Sequence, residues 1–243
     1  MKRKLYLLLS IVVVASMALS ACGGVATTPP ATQPPATKPP VPTAVPPTEK
    51  PAPTFSGTVT VTFTQEPDNL NPMYTDMYFA GILREFYLKP AWNFDENAKP
   101  VPVLAKEIPS AENGGLSADG KTITIKLRDD ITWSDGEPLT ADDFVFTYNM
   151  IMSEKNVPLS RYPYEDYVTS VEAKDATTVV VTFNAPFAAW LTRLFFYVLP
   201  EHVLQPVFDK DGTLDNAEWN RNPTVGLGPF VFSEWETGSH ITF

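Results

Sequence analysis

Trp133-Ser134-Asp135-Gly136-Glu137-Pro138-Leu139-Thr140-Ala141-Asp142-Asp143-Phe144 closes a strand, makes a turn and starts a helix within one short run. Just upstream, Thr122-Ile123-Thr124-Ile125-Lys126-Leu127-Arg128 alternates apolar and polar residues, the period of a half-buried strand. Asp119-Gly120 supplies the turn that precedes it. Thr140, with Asp143 three residues on, resembles a capping box whose acid is one methylene shorter than the usual Glu. Behind that cap, Ala141, Phe144, Val145, Tyr148, Ile151 and Met152 recur at helical spacing and predict the buried face of a helix.

Working outward, Thr58 to Phe63 alternates strictly and predicts a strand with Val59, Val61 and Phe63 inward. Glu66 to Pro72 breaks it as a loop. Tyr78 to Leu88 has Phe79, Ile82, Leu83 and Phe86 at helical spacing. Val168 to Ala173 and Thr178 to Phe183 predict a hairpin, with Val179, Val181 and Phe183 facing the core. A short helix is expected over Phe187 to Leu191, a buried strand or a continuation over Leu194 to Leu199, and a further short helix from Pro200-Glu201-His202. Phe230-Val231-Phe232 should begin a strand, with Ile241 and Phe243 in its partner. The mixture is α/β or α+β, and no internal repeat interrupts it.

The N-terminus carries a different message. Lys2-Arg3-Lys4 precedes an apolar run from Leu5 to Leu19, then Leu19-Ser20-Ala21-Cys22. That order is a secretory signal peptide, too short and wrongly flanked for a membrane span. Its ending resembles a lipobox, in which the cysteine thiol is diacylated and the chain is cut before it. Residues 1–21 are therefore expected to be the leader and Cys22 the lipid attachment, with two or three acyl chains giving a stable anchor. Val25 to Thr54 is mostly Pro, Thr, Ala and Val; residues 22–54 should form a disordered to polyproline-II-like tether holding residues 55–243 off the membrane.

Cys22 is the only cysteine, so neither an internal disulfide nor a cysteine metal site can form. The net charge is −10, and the leader holds three basic residues and no acidic ones, so the mature chain is more acidic still. Nucleic acid, which requires basic patches, is an unsuitable partner.

Enzyme signatures are thin. His202 and His240 are the only histidines and lie far apart, so a histidine-rich metal site is not expected. No Gly-x-Ser-x-Gly elbow, Walker or dinucleotide glycine pattern occurs. Gly226-Leu227-Gly228 runs into Pro229. Asp129-Asp130 falls at a strand end, and Asp142-Asp143 in a first helical turn where carboxylates suit the dipole, so neither pair is read as a calcium site. Glu66, Asp68 and Asp76 could furnish the carboxylates of a hydrolase, but no spacing sets their separation.

Several segments together resemble the extracytoplasmic solute-binding proteins of peptide/nickel-type ABC importers, family 5. They are Gln65 to Pro72, Pro102 to Ile108, Leu116 to Thr122 with Ile125 to Gly136, Leu199-Pro200-Glu201-His202, and Val225-Gly226-Leu227-Gly228-Pro229-Phe230. Each is short; their order and spacing are specific, and they cover the chain from about Gly57 onward. Leu227 and Phe230 stand where that family usually has threonine and tyrosine, removing two hydroxyls. The resemblance implies an α/β, periplasmic-binding-protein-like (type II) two-lobe fold, of which only the N-terminal part is present. Lobe I would comprise pieces of about 55–72 and 168–243, with an inserted subdomain of about 73–167 and the second lobe missing. Trp133, Asp135, Gly136, Thr140, Asp143, Gly226, Gly228 and Pro229 are then fold-making, Trp133 as a buried indole and Gly136 as a turn glycine. Asn71, Met73, Tyr74 and Asp76, flanking the first-strand loop, are the candidate ligand contacts.

That resemblance implies a lipid-anchored substrate-binding protein that captures peptides or a related small solute and delivers it to membrane permease subunits. It would act outside the cytoplasm, in a periplasm or on the outer face of the cytoplasmic membrane, with no chemistry, no cofactor and no metal. The alternatives are a surface sensory or interaction module on the same fold and a hydrolase using Glu66, Asp68 or Asp76. Without a second lobe, ligand binding is expected to be weak and apolar cleft surface to be exposed.

Overall fold

In the computed structural model, residues 57–243 are described; the leader, Cys22 and the Pro/Thr-rich stretch to residue 54 lie outside them. The elements in chain order are helix α1 (Tyr78–Tyr87), strands β1 (Trp92–Phe94), β2 (Pro100–Pro102) and β3 (Thr122–Lys126), and helices α2 (Ala141–Met152) and α3 (Tyr164–Tyr167). Strands β4 (Val168–Asp175) and β5 (Thr178–Phe183) follow, then helices α4 (Trp190–Arg193) and α5 (Glu201–Asp211). A 3₁₀ turn (Glu218–Asn220) and strands β6 (Glu234–Glu236) and β7 (His240–Thr242) complete the order.

The central sheet is antiparallel in the order β3-β5-β4. Ile123 pairs with Val181 and Ile125 with Val179, so the alternation in both strands delivers one apolar face. In β4, Val168 and Val171 are both buried although an odd spacing should put them on opposite faces. A register shift between Val168 and Ser170 re-aims the strand and brings both inward. Helix α2 packs across β4 and β5. Phe144 from α2 and Tyr164 from α3 both meet the Phe195 ring edge-on, at 5.0 and 5.9 Å. β3 lies within residues 73–167 and β5 within 168–243, so this sheet crosses the boundary expected at Tyr167. Val59–Phe243 forms one compact unit.

The hairpin predicted over Val168–Phe183 is present, and so are helices where Tyr78 to Leu88 and Ala141 to Met152 were expected. In α1 the buried residues are Ala80, Leu83 and Tyr87, with Phe79, Ile82 and Phe86 half-buried. In α2 the buried stripe includes Phe146, Thr147 and Met150, whereas Val145, Tyr148 and Met152 are half-buried.

Four expectations need correction. Thr58 to Phe63 forms no strand; Val59 is 87% and Val61 60% exposed. Alternation alone does not make a strand, because the backbone needs a ladder partner and none pairs with this segment among the described residues. Only Phe63 turns inward, stacking on Phe79 at 4.7 Å. The short helix expected at Phe187 to Leu191 is a single turn beginning at Trp190. Leu194 to Leu199 is mostly buried but irregular: Phe195 has φ 49, the Phe195 N–H donates to the Tyr164 hydroxyl at 3.1 Å, and the Leu199 N–H donates to Thr147 Oγ1 at 2.8 Å. Side chains thus satisfy what a neighbouring strand would have satisfied. Finally, Phe230-Val231-Phe232 precedes the β6–β7 hairpin instead of forming its first strand. The β1–β2 hairpin was missed, since Pro100 and Pro102 argue against a strand; the pair is a two-stranded ribbon, where proline is tolerated.

Candidate functional site

The loop from Glu66 to Met77 is held from below by hydrogen bonds. Glu66 accepts the Trp235 indole N–H at 2.6 Å and the Gly238 N–H at 3.1 Å, which ties the loop to the β6–β7 hairpin. Asp68 Oδ1 accepts the Thr75 hydroxyl at 2.6 Å. The Leu70 N–H donates to the Asn220 carbonyl at 2.8 Å, and the Leu70 carbonyl accepts the Tyr87 hydroxyl. Asn71 is fully buried: its Nδ2 donates to Asn220 Oδ1 at 2.8 Å and its Oδ1 accepts the Met73 N–H at 3.0 Å. The structure therefore places Asn71 as the pin between the loop and the 3₁₀ turn, with its amide engaged inside the protein.

The other candidates separate. Met73 and Asp76 line one cavity of about 610 Å³, together with residues of α1, Tyr162, Phe196 and Tyr197. Met73 is buried, whereas Asp76 is exposed. Tyr74 points elsewhere: its hydroxyl is buried without a hydrogen-bond partner. Burial, reinforced by the Asp215 carboxylate, pushes that phenol well above its ordinary range. The cavity also receives Arg84, which sequence reasoning missed. Its signal was its spacing from Met77, Ala80 and Gly81, which puts all four on one face of the helix and its entry.

A smaller cavity of about 310 Å³, lined by Asp68, Asp215, Glu218 and several asparagines, lies by the 3₁₀ turn. Among the described residues, no group of three or more His, Cys, Asp or Glu is arranged to hold a metal ion. Asp130 is instead held by Arg128 through two hydrogen bonds, at 2.8 and 2.7 Å.

The short motifs converge on one another. Trp133 is buried, and its Nε1–H donates to Asp143 Oδ2 at 3.3 Å. Asp143 is only 3% exposed and also accepts the N–H groups of Thr140 at 2.9 Å and Glu201 at 3.0 Å. Burial raises the pKa of this carboxyl, while those three donors oppose the rise. Gly136 completes the turn with φ 98, a conformation that glycine adopts without strain. Asp135 reaches back to His202, with Oδ2 at 2.9 Å from Nε2, and His202 stands edge-on to Trp133 at 5.8 Å. Ser134 exchanges hydrogen bonds with Gly226: the Ser134 N–H donates to its carbonyl at 2.9 Å, and Oγ accepts its N–H at 3.2 Å.

Gly226 to Pro229 in turn lies against the end of α1. The N–H groups of Leu227 and Gly228 both donate to the Tyr87 carbonyl, at 2.8 and 3.0 Å, and Phe230 N–H donates to Phe86 O at 2.9 Å. A Cβ on Gly226 would overlap the Tyr87 carbonyl oxygen, and one on Gly228 the Phe86 carbonyl oxygen. These residues form a frame; the open volume lies over the opposite stretch of α1.

Comparison with known proteins fits this arrangement. Residues 99–243 match the family described as "Bacterial extracellular solute-binding proteins, family 5 Middle". Protein XP55 of Streptomyces lividans is 32% identical over 191 residues, covering 76% of this chain and 31% of that protein. NikZ from Campylobacter jejuni, solved in complex with Ni(L-His), superposes with a TM-score of 0.61 at 30% identity, over 73% of this chain and 33% of that one. AppA from Bacillus subtilis, solved in complex with a nonapeptide, gives a TM-score of 0.62 at 28% identity, over 72% and 34%. The chain thus spans about a third of the length of the relatives it matches. Its fold is α/β and periplasmic-binding-protein-like, type II. The chain belongs to the bacterial extracellular solute-binding proteins of family 5.

Proposed function

We propose that this chain is the ligand-facing N-terminal part of a lipid-anchored substrate-binding protein of an ABC importer. It captures peptides or a related small solute and hands it to membrane permease subunits. The observation that carries this reading is the cavity over α1. Its volume of about 610 Å³ suits a small-molecule site, and it combines apolar and aromatic walls with two opposite charges, Asp76 and Arg84. Such walls accept varied side chains, while a few polar groups fix orientation. Relatives solved with a nonapeptide and with Ni(L-His) support a peptide or another small solute as the ligand. In this reading a second lobe closes over the cavity by a hinge, lobe I includes residues 55–72 and 168–243, and Cys22 is the membrane anchor.

Two experiments test it. The chain is incubated with a mixture of short peptides and examined by native mass spectrometry. Retained, unaltered peptide supports capture; a product of changed mass would mean turnover and end the binding reading. For the anchor, cells are labelled with radioactive palmitate. Label and membrane association should both be lost in Cys22→Ala; a protein that stays acylated and membrane-bound without Cys22 removes that assignment.

A further inference from the structure

Arg84 is the only cation among the described residues that line the cavity, and internal packing leaves most of its hydrogen-bonding capacity unused. One terminal nitrogen meets Glu85 Oε1 at 2.9 Å. That partner is its own sequence neighbour and is 43% exposed on its side chain, so the pair is weak and water-screened. The guanidinium stands over the Phe196 ring, 5.4 Å from its centroid, which holds the plane without using the remaining N–H donors. The space beside it is open: a Cβ built on Gly81, one helical turn away, meets no atom within 4 Å. Phe196 and Tyr162 are each about half exposed at the cavity, an apolar shelf next to a planar fork of donors.

From this geometry we infer that Arg84 selects a ligand carboxylate, received in the fork of its guanidinium, with an adjoining apolar or aromatic group of the ligand lying on Phe196 and Tyr162. The fork matches a carboxylate in a way that a neutral amide cannot reproduce. Asp76 lines the same cavity, so a second negative charge on the ligand is disfavoured and an amine is favoured. The class is therefore a monocarboxylate or zwitterion carrying an apolar group. This rests on reading the cavity as the ligand site.

The test uses the chain and one matched pair of probes: the tripeptide Leu-Gly-Phe as the free acid and as its C-terminal amide. Binding is followed by NMR shifts of the Phe196 and Tyr162 rings and of the Arg84 side chain. The acid should bind on the order of tenfold tighter than the amide. Arg84→Gln should abolish that preference. Arg128→Gln, which removes the same charge from an exposed pair with Asp130, should keep it. Should Arg84→Gln not fold, the acid–amide comparison on the unaltered chain still decides. Equal binding of both probes, blocked by Gly81→Leu, would overturn the role of Arg84 while leaving the cavity as the ligand site. Shifts at neither ring, or binding indifferent to Gly81→Leu, would overturn both.

Discussion

The carboxylate of Asp143 accepts the backbone N–H of Glu201 at 3.0 Å, so a residue in the first turn of α2 also caps the first turn of α5. The same carboxylate holds Thr140 N–H and the Trp133 indole. One turn further along α2, Thr147 Oγ1 donates to the Asp143 carbonyl at 2.7 Å and accepts Leu199 N–H at 2.8 Å. Two side chains of one helix thus replace a missing strand partner for the segment that leads into α5. The buried charge is tolerated because three N–H donors surround it and two helix N-termini point at it.

Asp143→Ala should therefore be among the more damaging single substitutions. It leaves the buried Trp133 indole N–H and the part-buried N–H groups of Thr140 and Glu201 without their acceptor, a buried orphan alone costing roughly 1–3 kcal/mol. A loss of about 3 kcal/mol or more is expected in urea denaturation. Asp142→Ala, a neighbouring exposed carboxylate, serves as the control and should change stability by less than about 0.5 kcal/mol. Similar midpoints for the two variants would refute the role given to Asp143.

The same carboxyl has an unusual pH signature. Burial raises its pKa in the folded chain above the ordinary carboxylate value. Between the ordinary value and the raised one, the folded state binds more protons than the unfolded state, so this group's contribution to stability grows as pH falls. Asp135 behaves oppositely. Burial works against its ionisation, but the hydrogen bonds from His202 and Glu137 N–H hold its carboxyl below the ordinary value. Its contribution is present above the ordinary carboxylate pKa and is lost as pH falls through the lowered one. Denaturation from pH 6 to 3 should show the stability difference between the unaltered chain and Asp143→Asn moving in favour of the unaltered chain on acidification. The corresponding difference for Asp135→Asn should move the other way. Parallel curves would refute both assignments.

Gly226 and Gly228 are required by close approach. With their N–H groups or neighbours bonded to the end of α1, any Cβ would meet a backbone carbonyl that cannot rotate away. Gly226→Ala and Gly228→Ala should each destabilise by about 3 kcal/mol or more, because the backbone itself must shift. Gly238→Ala has φ 77 but open space around it, so its cost should be only about 1 kcal/mol, from strain alone. Thermal melts of the three variants give the ranking, and a Gly238→Ala loss equal to the others would contradict it.

Much of the frame was legible in the sequence because its signals are local. The alternation of Thr122–Lys126 and Thr178–Phe183 and the Thr140–Asp143 spacing are each set by neighbouring residues, and each lies where expected. The segment Thr58–Phe63 misled because alternation reports a periodic side-chain pattern without naming a partner, and the partner decides whether a strand forms. Asn71 shows the same limit. Its place in a loop is legible in the sequence, but the Asn220 side chain that accepts its amide N–H lies 149 positions away. Arg84 was passed over because a cation on an amphipathic helix ordinarily faces water; only the packing of Phe196 and the small residues Ala80 and Gly81 encloses it.

Tyr74 offers the last prediction. Its ring is packed against the core, but its buried hydroxyl has no hydrogen-bond partner. A hydroxyl taken out of water without compensation costs roughly 1–3 kcal/mol, whereas removing it together with its need for a partner recovers that cost. Tyr74→Phe should consequently be neutral or stabilising by up to about 1 kcal/mol in urea denaturation. Tyr164→Phe, by contrast, removes the acceptor of the buried Phe195 N–H and should cost about 1–3 kcal/mol. The two substitutions delete the same atom from two buried tyrosines of one fold. Opposite signs would show that hydrogen-bond satisfaction sets the outcome, and a clear loss for Tyr74→Phe would show that its hydroxyl has a partner in solution, with Asp215 the nearest candidate.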